Sequence, residues 1–193
     1  MNTFAKLSKY AVMAFVAVSM ISCSSDEGGE NNNDDNPQSG PFVAKVDGEN
    51  FATKGYQAKY LSSTKMLQII GNTESNEETI VISIIRIGDE TITSLSDWTP
   101  QTFEMGAPNP WGEGYYTSSI GYNKYNYNID GYEMWQNNPE GEIQVGQIKI
   151  TEISGNHIKG TFFVDTYKYD GTYNLSDVKH ITVGAFDLDV TIQ

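Results

Sequence analysis

The chain has 193 residues, 38% hydrophobic and 12% aromatic, with one cysteine and a formal net charge of −13. That length suits one domain with an extension, and the apolar content is enough for a core. The charge argues against nucleic acid as a partner, and a lone cysteine excludes a disulfide framework or a multi-cysteine metal site.

Taken from the start, Met1 to Lys9 carries Lys6 and Lys9 and no acid, and an apolar run from Tyr10 to Ile21 leads into Ser22 and Cys23. A basic stretch, a dozen apolar residues and a small residue before the cut make a secretory signal. A membrane span would need roughly 20 apolar residues, so this run is too short. Met20-Ile21-Ser22-Cys23 resembles the bacterial lipobox, which implies cleavage after Ser22 and acylation of Cys23. Two or three acyl chains on one residue anchor a protein stably, each buried methylene contributing about 0.8 kcal/mol. Cys23 is thereby assigned to lipidation, with the membrane as its partner. Loss of residues 1–22 removes two lysines and no acid, so the mature charge becomes −15.

Residues 23–41 read as the lipidated cysteine and a flexible acidic linker. The seventeen residues from Ser24 to Gly40 hold five acids and no large apolar side chain, too little to order themselves. As a tether they reach roughly 20–25 Å. Ser24 after the cysteine resembles lipoproteins sorted to the outer membrane, and Ser25-Asp26-Glu27 resembles the surface-export signal of Bacteroidota lipoproteins. A cell-surface location is therefore expected, with the periplasmic face as the alternative.

Residues 42–193 read as one all-β domain, an antiparallel sandwich or barrel-like fold of about eight to ten strands. Phe42 to Val46 and Phe51 flank Asp47-Gly48, a tight-turn signal. Tyr56–Leu61 and Met66–Ile70 pair across residues 62–65. Thr79 to Ile87 is almost continuously apolar and β-branched, as a buried central strand would be. Ile143 to Ile150 slips its alternation at Gly146, and Ser154-Gly155-Asn156 turns into a returning strand with Ile158, Gly160, Phe162 and Val164 on one face. Ile181 and Val183 have the opposite parity to Phe186, Leu188, Val190 and Ile192, with Gly184-Ala185 between them, which suggests a β-bulge.

Phe42 to Phe51, Gly146 to Ile153, Ile158 to Phe163 and Gly184 to Leu188 together resemble a group of uncharacterised Bacteroidota lipoprotein domains. The resemblance spans most of residues 42–192 and rests on strand and turn patterns. It implies fold and location, and it transfers no catalytic residue.

The catalytic inventory is thin. His157 and His180 are the only histidines, and neither lies in a partner motif; no phosphate loop, HExxH or GxSxG occurs. Asp97, Glu104, Glu113, Asp130 and Glu133 lie near aromatics, so a carboxylate-pair hydrolase stands as a third and weakest reading. Asp187 and Asp189 share one strand face, hard oxygen ligands of the kind calcium takes, but without an EF-hand-like loop. The reading is therefore non-enzymatic and without a cofactor or bound metal.

The strongest departure from background is aromatic clustering between Trp111 and Trp135. Tyr115, Tyr116, Tyr122, Tyr125, Tyr127 and Tyr132 lie inside that window, interleaved with amides such as Asn123 and glycines such as Gly121. Rigid rings with polar tips beside amides suit sugar rings, but they also suit ordinary strand ladders. If the segment binds, Trp111, Tyr125, Tyr127 and Trp135 are the expected contacts. Two functions follow. One is a binding module for glycan, peptide or an envelope partner; the other is an assembly lipoprotein that packs on another envelope protein.

Overall fold

Strict alternation of apolar and polar residues puts every second side chain on one face of a strand, and the domain is built almost wholly on that period. The structure, a computed structural model, describes residues 40–74, 76–87, 92–105, 115–128, 131–136 and 146–193. Cys23, the signal, the linker as far as residue 39, and Trp111 lie outside the described residues. The strands are β1 (Phe42–Val46), β2 (Glu49–Asn50), β3 (Thr53–Leu61), β4 (Met66–Thr73), β5 (Glu78–Ile87) and β6 (Gln101–Met105). They continue with β7 (Tyr115–Asn126), β8 (Gly131–Gln136), β9 (Gly146–Ser154), β10 (His157–Tyr169) and β11 (Tyr173–Ile192). The described residues thus hold eleven strands, one more than the upper expectation; β2 is only two residues long.

The strand order is β2-β1-β11-β3-β4-β5-β7-β8-β10-β9-β6, with a further pairing of β11 to β10. That extra pairing closes the ladder from β3 through β4, β5, β7, β8, β10 and β11 back to β3. The result is a barrel-like circuit, with β1–β2 branching from β11 and β9–β6 from β10. All pairings are antiparallel except one: Val190, Thr191 and Ile192 run parallel to Ala58, Lys59 and Tyr60. The expected all-antiparallel ladder is corrected there. β11 has twenty residues and continues beyond the beginning of β10, so its last residues take a new neighbour.

The Asp47-Gly48 turn is a β1–β2 hairpin with both residues at positive φ, 53° and 86°, the handedness that a two-residue hairpin needs. Residues 56–61 and 66–70 pair as expected, as do β9 and β10. In β9–β10 the irregularity falls opposite Lys159 and Gly160, where Glu152 and Ile150 are their partners, so Thr151 is the extra residue. Residues 143–145 of the expected slip at Gly146 lie outside the described residues.

The core is filled by the inward set of each strand. Ile80, Ile82 and Ile84 of β5, Leu67 and Ile69 of β4, and Ile148 and Ile158 are fully buried; each such side chain contributes about 1.5–3 kcal/mol. One end holds Phe42, Phe162 and Phe186, with centroids 5.5 Å and 6.4 Å apart along the row. Farther along, Tyr60, Trp98, Phe103 and Tyr116 meet in sequence at 5.9, 6.1 and 4.7 Å. Trp98 comes from a single 3-10 turn (Leu95–Asp97) and its flank. The Asp97 carboxylate accepts the amides of Thr93 and Ser94, both at 2.8 Å, and both hydroxyls. These bonds hold its pKa at about 2.

The bulge expected in β11 is present, one residue before the Gly184-Ala185 break in alternation. Phe162 faces Gly184 and Val164 faces Ile181, so Thr182 and Val183 together oppose Phe163. Val183 takes φ 51° and is exposed, whereas Ile181 is buried; the expected common face of these two residues is corrected. Gly184 serves packing instead: a Cβ there would lie 2.6 Å from both the Phe162 ring and its carbonyl oxygen.

Candidate functional site

The aromatic segment divides by strand parity. Tyr122 and Trp135 are cross-strand partners that point inward, with ring centroids 5.5 Å apart. Trp135 is only 4% exposed. Its indole N–H donates to Asp177 at 3.0 Å, and the ammonium groups of Lys168 and Lys179 lie 5.4 and 5.6 Å from its ring. Trp135 therefore offers no free stacking plate, which corrects its expected role as a ligand contact. Burial raises the pKa of the Tyr122 hydroxyl, with Glu78 adding to the effect.

Tyr125 and Tyr127 remain at the surface. Their rings meet edge to face at 4.8 Å and 90°, and Tyr127 is 69% exposed. Glu77 ties this end of the hairpin: its carbonyl accepts the Tyr125 amide at 2.7 Å, and its carboxylate accepts the Tyr127 hydroxyl. The structure brings these two tyrosines together and separates them from Trp135.

A feature that sequence reading missed is the outer face of β3, β4, β5, β7 and β8. Thr79 to Ile87 is buried on one face, not both: Val81 and Ile85 point outward half-buried, and Ile87 is exposed. Leu61, Met66, Ile70 and Met134 share that outward face through register with them or with β7. Among the described residues pointing outward there, Lys59 is the only charged one. The outward face of β9, β10 and β11 is the opposite, carrying Lys149, Lys159, Asp165, Asp187 and Asp189. On a chain of net charge −13, an almost uncharged five-stranded face is a distinct surface.

That face contains a groove of about 410 Å³ centred on Gly121. Gly121 lies between Val81 on β5 and Gln136 on β8, so the sheet has no side chain between those two. Thr117 and Ser119 bring hydroxyls, Asn123 and Gln136 amides, and Met134 and Tyr173 apolar surface. Tyr173 comes from the end of the β10–β11 hairpin, where its ring meets Tyr169 at 4.9 Å. Gly121 and Asn123 were visible in the sequence as companions of the aromatics. Their shared outward parity depends on the β5–β7–β8 register, which is a tertiary fact.

A second groove, of about 320 Å³, lies beside His157, Tyr56 and Asp187. His157 Nδ1 is 2.8 Å from Asp189 and Nε2 2.7 Å from Asp187. Ionised carboxylates only accept, so a ring bonding both is doubly protonated. The Asp189 bond first, and Asp187 with it, raises the His157 pKa. Lys159, 3.2 Å from Asp187, is the main cause of the lowered Asp187 pKa. His180 likewise meets Asp165 at 2.7 Å. Both histidines thus have carboxylate partners across the β10–β11 ladder, where no local motif could show them. No group of three or more His, Cys, Asp or Glu side chains suited to a metal ion occurs among the described residues.

Three of the five acids weighed for hydrolysis have structural partners. Asp97 caps the 3-10 turn, Glu104 accepts the Gln147 amide at 2.9 Å, and Glu133 pairs with Lys168. Glu113 and Asp130 lie outside the described residues. Comparison of the chain with family models, curated proteins and solved structures finds no match in any of the three.

Proposed function

We propose that the chain is an envelope lipoprotein, acylated at Cys23 and held at the outer membrane, whose β-domain is a non-enzymatic binding module. The observation that carries the binding role is the contrast between its two outward faces. One is laced with charge, whereas the other is nearly uncharged and contains the Gly121 groove. A surface of uniform solvation would distribute the acids over both faces, while an exposed apolar and amide-rich face suits a ligand or partner. The lipobox-like Met20 to Cys23 and the acidic linker support the anchor and a position clear of the lipid.

Cys23→Ala tests the anchor. The variant is expected to leave the membrane fraction, as a soluble or signal-retained chain. An unchanged membrane fraction would overturn it. Protease shaving of intact cells separates surface from periplasmic placement.

The assembly reading is favoured by one observation on the same face, beside the groove. Leu61, Met66 and Ile85 are neighbours through the β3–β4–β5 register, an apolar row that an envelope protein could cover. Sedimentation of the purified lipoprotein alone and with its co-purifying envelope proteins distinguishes the two readings.

A further inference from the structure

We infer that the groove over Gly121 binds an uncharged sugar chain. This rests on the binding-module reading and names its ligand class.

Gly121 is the first ground. Its backbone is not left-handed, and a Cβ built on it would meet only the Trp135 carbonyl oxygen, at 3.6 Å. That is ordinary contact, so neither conformation nor packing asks for glycine here. Gly160 is different: its Cβ would lie 2.3 Å from the Phe186 ring and 2.4 Å from the Lys149 carbonyl oxygen. A glycine inside a strand weakens it and marks a bulge, a bend, or close approach of a ligand or another backbone; the ladder at Gly121 shows no register shift. The structural consequence of Gly121 is a depression between Val81 and Gln136.

The lining is the second ground. It has hydroxyls from Thr117 and Ser119, amides from Asn123 and Gln136, and the apolar surfaces of Val81, Met134 and Tyr173. None of these is charged, so neither an anionic nor a cationic ligand finds its counter-ion. The groove also lies in mid-sheet, where β7 is paired on both sides. A peptide adding a strand needs an open edge, and none is available there. Side chains alone must recognise the ligand. A sugar ring presents C–H faces to apolar and aromatic groups and hydroxyls to amides, which is the inventory present. About 410 Å³ lies within the range of roughly 300–1,000 Å³ for small-ligand sites.

The test is Gly121→Val in the full chain, with titration calorimetry against uncharged oligosaccharides (gluco-, manno-, xylo- and galacto-oligomers) and against acidic ones as controls. The wild type is expected to bind at least one uncharged series and no acidic one. Gly121→Val should keep or raise the melting temperature, since valine is the better strand residue, while weakening binding at least tenfold. Asn123→Ala should weaken it about three- to tenfold, as loss of a neutral hydrogen bond does. Undiminished binding by a folded Gly121→Val overturns the inference, as does failure of every uncharged series. A photo-cross-linker at Ser119, which lines the groove and lies outside the apolar row of the assembly reading, separates the two levels. If no sugar binds but a discrete envelope adduct forms, the sugar inference falls and the binding-module reading stands; if neither occurs, both fall.

Discussion

The indole nitrogen of Trp135 donates to the Asp177 carboxylate across 3.0 Å, joining β8 to a part of β11 that it does not pair with in the ladder. The bond is half-buried while the ring is almost fully so. Trp135→Phe should therefore destabilise by about 1–2 kcal/mol, the range for a hydrogen bond to a partly solvated charge. Trp135→Ala should cost about 3–5 kcal/mol, because it also leaves a cavity beside Tyr122. Urea unfolding of both variants measures the difference; a Trp135→Phe variant as stable as the wild type would show that the bond contributes nothing.

His157 gives the β10–β11 hairpin a pH dependence of known sign. Its folded pKa is raised, so its contribution is complete below the unfolded value of about 6.5. It fades as pH rises through the folded value. Asp187, with a lowered pKa, contributes in the other sense and loses its part only in acid. His157→Asn should thus lower the melting temperature more at pH 6 than at pH 9. A gap independent of pH would show that neither carboxylate bond persists in solution.

At the β11 bulge, two adjacent substitutions should act in opposite directions. Val183 holds φ 51°, a conformation that costs a β-branched residue about 1–2 kcal/mol. Val183→Gly should raise stability by about 0.5–1 kcal/mol after the added freedom of the unfolded chain. Gly184→Ala, with its Cβ 2.6 Å from Phe162, should lower it by about 1–3 kcal/mol. Denaturant midpoints of the two variants decide the matter.

The β11 bulge also marks how far the sequence could be read. A break in period two located it, because parity is a local property of the chain. The sequence shows glycine at the break, but the left-handed residue of the bulge is Val183. Gly184 answers to the Phe162 ring, a contact between strands that no local pattern encodes. The aromatic cluster has the same limit. Whether Trp135 or Met134 faces inward depends on which side of β8 meets the core, and a one-residue change in register would exchange them. His157 found its carboxylates, and Gly121 its groove, only through cross-strand pairing. The apolar outward residues of Thr79 to Ile87 were legible as apolar. Their exposure was not, since a run without alternation reads as buried on both faces.

β11 has three neighbours, and Phe42 pairs with Phe186 from almost the other end of the described chain. Until β11 arrives, β1, β3 and β10 each keep an open hydrogen-bonding edge, the kind that recruits foreign strands. Closure of the circuit waits on the long-range pairing of Ala58 with Val190, which makes folding slow for the size of the domain. Any product that stops before Thr182 should be the aggregating form of this protein, while a chain that reaches Ile192 closes on itself and hides those edges.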